Sequence, residues 1–160
     1  MVWPDPVERV AAFLRAAGAE ARLEEFETDT PTAQAAADAV GCGLDQIVKS
    51  LVLVCDDLPV IALVPGDRRA DPTKVALAAG AEHARVARPA EVVATTGFVP
   101  GGVAPVPPPV GVAILVEQTI LSSTVVWVGA GSERHMVMIA PPELVRLTSG
   151  RTVDIAQESA

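Results

Sequence analysis

Only two of the 160 residues are lysines, and one of them, Lys49, stands inside the apolar run IVKSLVLV. Strand alternation places Lys49, Leu51 and Leu53 on one face and Val48, Ser50, Val52 and Val54 on the other. Both faces are otherwise apolar, as in a sheet covered on both sides. An ammonium group is costly to bury there unless it is paired or opens on a polar cleft. The competing reading is an edge-strand lysine whose stem lies on the core while its head reaches water, and the strand by itself favours that reading. A second candidate is the loop GGVAP, Gly101–Pro105. Adjacent glycines open backbone paths closed to other residues and leave amides free to hold a carbonyl oxygen or a developing oxyanion. The same composition also suits a plain connector. His135, after the run GAGSER, is the natural acid, base or hydroxyl partner near neutral pH, or else a structural histidine. Cys42 sits between two glycines in a helix-terminating turn, with nothing beside it to make a thiolate.

The elements that must position these residues alternate between short helices and strands. Val7, Val10, Phe13, Leu14 and Ala17 recur at helical spacing and Gly18 stops them. Thr30-Pro31 reads as an N-cap with proline at the first helical position, opening an alanine-rich helix that ends near Gly41. IVKSLVLVC and PVIALVPG, joined at Asp56-Asp57, predict a hairpin. Asp71-Pro72 opens a helix to Gly80, and Pro89 opens another to Gly97. After the proline-rich loop FVPGGVAPVPPP come the strands GVAILVE, TVVWVG and HMVMIA, the last two joined by a GAGSER turn. Pro141-Pro142 opens a last helix closing at Gly150. With several strands not followed by helices, the expectation is one mixed α/β domain over residues 1–160 rather than a regular doubly wound sheet.

Composition narrows the function classes. Half the chain is apolar and the mean hydropathy is +0.38, which excludes a disordered chain. Aromatics make up 3% with no tyrosine, against a base-stacking RNA platform. The formal charge is −8, so broad coating of DNA or RNA is disfavoured. The acidity is uneven: residues 1–57 hold four basic and eleven acidic side chains, residues 58–160 eight and nine. A local basic patch, Arg68, Arg69, Lys74, Arg85 and Arg88, leaves room for contact with one end of a nucleic acid. No basic leader or apolar run opens the chain, and the apolar stretch 103–116 is proline-broken and too short to span a membrane. Together with two unpaired-looking cysteines this predicts the cytosol. There is no GxSxG elbow and no phosphate loop. Gly129–Gly131 lacks the third glycine of a dinucleotide fingerprint, and His83 and His135 have no metal-ligand spacing. No cofactor or metal is expected.

The order IVKSLVLV, VPGDRRADPTKVALAAG, TGFVPGGVAPV, ILVEQTIL, VWVGAGSERH and APPELVRLT resembles the YbaK/EbsC family of aminoacyl-tRNA deacylases. These are relatives of the editing domain inserted in bacterial prolyl-tRNA synthetases. The likeness runs from about Val7 to Ile155. It implies a curved, barrel-like mixed β-sheet flanked by short helices, and hydrolysis of the ester between a mischarged small amino acid and tRNA. Lys49 matches the family's lysine and would bind the acceptor-end phosphate or the substrate carbonyl. Gly101 and Pro105 match its GxxxP loop, which with Gly102 and Ser50 would hold the terminal adenosine and aminoacyl ester. His135 falls where the synthetase editing domains place a histidine. Arg68, Arg69 and Lys74 become phosphate contacts whose strength falls with salt. The implied partners are an aminoacyl-tRNA acceptor end and an aminoacyl-tRNA synthetase, not DNA or membrane. Water or a substrate group would attack, so no protein nucleophile is required. Two departures are Pro107–Pro109 in the loop and Glu117 where aspartate is common. The alternatives are a non-catalytic module of the same fold that binds tRNA or an amino acid, and a hydrolase of another small ester or thioester.

Overall fold

A computed structural model describes residues 2–158. The hairpin is its centre. Strand β2, Ile47–Cys55, runs antiparallel to β3, Leu58–Pro65, turning at Asp56 and Asp57, both with positive φ. Side chains on one face of β2, Val48 and Val52, enter a core with Ile61, Leu63, Val116, Val128 and Leu144. Those on the other face, Leu53 and Cys55, join Ala62, Val64, Val75 and Leu115. Burial on both faces explains the nearly unbroken apolar reading of these strands.

Three strands follow later in the chain: β5, Ala113–Glu117, β6, Val126–Ser132, and β7, His135–Ile139. Three more escape sequence periodicity: β1, Ala21–Glu25, β4, Ala84–Val86, and β8, Arg151–Val153. The sheet order is β1-β7-β6-β2-β3-β5-β8, with β4 on β2. β2 is parallel to β6, and β3 to β5, while β7 runs antiparallel to both β1 and β6, so the sheet is mixed.

The helices are α1, Asp5–Ala16, α2, Ala33–Val40, α3, Pro72–Ala79, α4, Pro89–Thr96, and α5, Pro141–Thr148. Asp71 caps α3 as expected, its carboxylate accepting from the amides of Thr73 and Lys74. The cap of α2 is Thr32, two residues beyond the expected Thr30-Pro31. Thr30 is engaged elsewhere, its amide and hydroxyl both donating to the Glu133 carbonyl. Helix α5 ends one residue earlier than expected, with Ser149 in the left-handed conformation. Gly150 serves a different need: a Cβ there would sit 2.7 Å from Val116 Cγ2. Among the described residues no helix is long and apolar enough to cross a membrane.

Candidate active site

Strand β2 has a neighbour on one side only at its two ends. It pairs with β6 at Ile47 and Val48 and with β4 from Leu53 to Cys55. Between these pairings the sheet parts, and Lys49, Ser50 and Leu51 line a cleft of about 370 Å³. Its other walls are Thr30–Ala33 and Ala36 at the start of α2, Gly101 and Val103 from the glycine loop, and Gly129, Ser132, His135 and Met136 from β6 and β7. Three of the regions singled out in the sequence therefore converge on one cleft.

Lys49 is not on an edge strand, which corrects the reading favoured by its strand alone. β2 is interior to the sheet, and the ammonium does not simply reach for water: Nζ donates to the Arg68 carbonyl at 2.8 Å. Partial burial and the neighbouring Arg69 charge lower the Lys49 pKa, with Asp67 opposing them. Three donors on an ammonium leave the others for a ligand.

The glycine loop is placed by glycines in β6. The expected GAGSER turn is in fact strand as far as Ser132, with a bulge in the pairing between Gly129 and Ser132. A Cβ on Gly129 would lie 2.4 Å from the Val103 carbonyl oxygen, so the loop packs directly on the strand backbone. On Gly131 it would lie 2.8 Å from the Pro6 carbonyl carbon, at the start of α1. That close approach is what the GAG run serves. Gly101 itself has φ +88°, a region costly to any residue with a Cβ. The Gly102 amide closes a turn onto the Val99 carbonyl at 3.0 Å, so Gly101 and Val103 are the loop residues that face the cleft. Pro105 is buried behind the loop, as an anchor outside the cleft lining.

His135 is 3% exposed and held at both nitrogens. Nδ1 lies 2.6 Å from Ser132 Oγ and Nε2 lies 2.9 Å from Glu25 Oε2, with Trp3 edge-on to the ring at 5.4 Å between centroids. Sequence reasoning missed both Glu25 and Ser132. Glu25 ends a strand too charged to read as one, and it reaches His135 only because the two are register partners across β1 and β7. The S-x-x-H spacing was visible, but its meaning depends on the bulge.

The remaining candidates spread out. Ser50 Oγ is buried without a hydrogen-bond partner among the described residues. Arg68 and Arg69 sit in the turn after β3, next to Lys49; the Arg68 guanidinium donates to the Gln157 carbonyl and Arg69 is exposed. Lys74 lies on α3, outside the cleft lining, and its ammonium is held by the Asp154 carboxylate and the Ala156 carbonyl. Glu117 is also outside the cleft. Burial would raise its pKa, but hydrogen bonds from Thr119 and from the amides of Ile155 and Ala156 outweigh that and lower it. Cys42 is half-buried with its thiol on the Gly43 carbonyl, and burial plus the nearby Asp45 raise its pKa, away from a thiolate.

The model of the aminoacyl-tRNA editing domain matches residues 27–147. The chain belongs to the aminoacyl-tRNA editing domain family. A solved structure described as a candidate trans-editing enzyme for prolyl-tRNA synthetase superposes with a TM-score of 0.90 at 33% identity, covering 98% of this chain and 100% of that one. The Enterococcus faecalis protein EbsC, named as a candidate Cys-tRNA(Pro)/Cys-tRNA(Cys) deacylase, is 27% identical over 131 residues, 81% of this chain and 80% of its own length. The proline–tRNA ligase of Lactiplantibacillus plantarum is 32% identical over 127 residues, 77% of this chain but only 22% of the ligase. The match spans about a fifth of that ligase's length, and the YbaK/EbsC resemblance seen in the sequence motifs is that of the family.

Proposed function

We propose that this editing domain is a free-standing, trans-acting deacylase that hydrolyses the ester between a small amino acid and a tRNA. The observation that carries the reading is the convergence of Lys49, Gly101, Val103 and His135 on one cleft where the sheet parts. An aminoacyl ester is already activated, so positioning and carbonyl polarisation supply much of the rate. Lys49 presents a cation to the ester carbonyl or to the acceptor-end phosphate. The Gly101 and Val103 amides take the developing oxyanion or the terminal ribose, with Gly102 and Pro105 fixing the loop behind them. Ser50 offers an unpaired hydroxyl to the substrate. Outside the cleft, Arg68 and Arg69 meet backbone phosphates of the acceptor end once Arg68 leaves the Gln157 carbonyl, whereas Lys74 must first release Asp154. An aminoacyl-tRNA synthetase that supplies the mischarged tRNA is the fitting partner, and the cytosol the fitting compartment.

A substrate panel tests the proposal: Ala-, Cys- and Ser-tRNA(Pro), plus noncognate charges on tRNA(Ala), tRNA(Thr) and tRNA(Lys). Release of amino acid is followed with wild-type and Lys49→Ala protein. Selective, Lys49-dependent hydrolysis of one member is expected. Binding of these tRNAs with no hydrolysis of any overturns the enzyme in favour of a binding module.

A further inference from the structure

We infer that Ser132 is a catalytic residue of this site, the group that accepts the proton of the attacking water, with His135 as the terminal base and Glu25 positioning it; the inference rests on the deacylase reading above. Its first support is the hydrogen-bond pattern. An ionised carboxylate only accepts, so the His135 nitrogen facing Glu25 Oε2 at 2.9 Å carries the proton. Nδ1 is then the ring's lone pair, and at 2.6 Å it accepts from the Ser132 hydroxyl. Ser132 Oγ in turn accepts from the Arg134 amide at 3.0 Å. A hydroxyl has two acceptor sites. One is therefore occupied by Arg134, the proton is committed to His135, and the second lone pair is left for a water in the cleft that Ser132 lines.

The second support is what the cleft lacks. Among the described residues, its lining contains no carboxylate and no thiol, and its lysine is a cation tied to the Arg68 carbonyl. Among the described residues of that lining the basic nitrogen is that of His135, whose ring is buried and in T-shaped contact with Trp3. Ser132 is the opening of that base to the cleft. The bulge in β6 makes this possible, since it pairs Ser132 directly with His135 and turns its side chain into reach.

Water gives a proton to Ser132 Oγ as the Ser132 proton passes to His135 Nδ1, and the hydroxide adds to the ester carbonyl. The imidazolium faces Glu25, the charged group hydrogen-bonded to it, while the carbonyl oxygen gathers charge beside Lys49 and the Gly101–Val103 loop. On collapse the ester C–O bond breaks, and the proton returns through Ser132 to the departing ribose oxygen. Serine is regenerated and no covalent enzyme intermediate forms.

The test is single-turnover hydrolysis of the best charged tRNA by wild type, Ser132→Ala, Ser132→Thr and Glu25→Gln, with melting curves for each. Positioned general-base catalysis contributes about 10²–10⁴-fold, so Ser132→Ala is expected to lose about 100-fold or more in kcat at nearly unchanged KM. Ser132→Thr keeps the hydroxyl and is expected to recover about tenfold or more of that loss. Glu25→Gln, which keeps an acceptor for His135 Nε2 but removes the charge facing the imidazolium, is expected to lose about tenfold or more in kcat at nearly unchanged KM. Wild-type turnover in a folded Ser132→Ala protein, a loss confined to KM, or an acyl group trapped on Ser132 overturns the inference while leaving the deacylase intact. A wild type inactive on every charged tRNA overturns the deacylase reading and this one with it.

Discussion

Lys49→Met separates catalysis from folding. Methionine keeps most of the apolar stem and removes the ammonium. In the folded protein the substitution loses one hydrogen bond, Nζ to the Arg68 carbonyl at 2.8 Å, of the kind that contributes about 0.5–1.5 kcal/mol net. It also removes a cation whose pKa partial burial and Arg69 both lower, meaning that the fold disfavours that charge. The two effects oppose each other, so stability is expected to change by no more than about 1 kcal/mol, a melting shift of about 2–4 °C for a chain of this size. Catalysis has no such compensation. Withdrawing one preorganised donor from a developing oxyanion costs about 10²–10³ in rate, about 2.7–4 kcal/mol. Single-turnover deacylation and thermal melting on the same preparation read both quantities. Lys49→Arg is not expected to rescue, because a planar fork does not replace a compact ammonium in a fixed pocket. Because the Lys49 pKa is lowered and the protonated form is the active one, enzymatic activity should decline on the alkaline side before the ordinary lysine value of about 10.4. That limb should be missing in Lys49→Met. A folded Lys49→Met protein hydrolysing within about threefold of wild type refutes the placement of Lys49 at the reacting carbonyl.

Gly101→Val forces a β-branched residue into φ +88° and sets its Cβ 2.7 Å from Glu133 Oε1; a stability loss of about 1–3 kcal/mol and a marked fall in turnover are expected, checked by melting and single-turnover rates. Gly129→Ala meets the backbone of Val103 rather than a movable side chain, so the loop must shift; activity should fall although residue 129 makes no bond to substrate, and an unchanged rate would detach the loop from the site. Glu117→Gln replaces an acceptor-only carboxylate that receives amides on both oxygens, so one amide faces an NH₂ group; about 1–3 kcal/mol of stability should be lost at neutral pH, with deacylation spared in the protein that remains folded. Since the Glu117 pKa is lowered on folding, its contribution is complete above the unfolded carboxyl value of about 4.3 and is lost as pH falls through the lower folded value; melting temperature against pH should therefore be flatter below about pH 4 in Glu117→Gln.

What the sequence determined by itself was local. The apolar period of α1, the Asp71-Pro72 and Pro141-Pro142 helix starts and the β2–β3 hairpin follow from neighbouring residues, because caps, fixed proline φ and side-chain alternation act over a few positions. The motif order around Lys49, Gly101 and His135 likewise sufficed for the family. Tertiary structure decided the rest. The strands ARLEE, ARV and RTV carry no periodic signal of their own and exist because β7, β2 and β5 offer them open edges. Thr30 gave up capping α2 because the β6–β7 turn competes for its amide and hydroxyl. Whether Lys49 snorkels from an edge or lines a cleft depends on which strands flank β2, and that pairing is set by residues some 80 positions away, at Trp127 and Val128. The same is true of His135: its partner Glu25 is 110 residues distant, and only the register of β1 on β7 brings the carboxylate to the ring. Spacing along a chain encodes what a residue can do; the long-range pairing of strands decides what it meets.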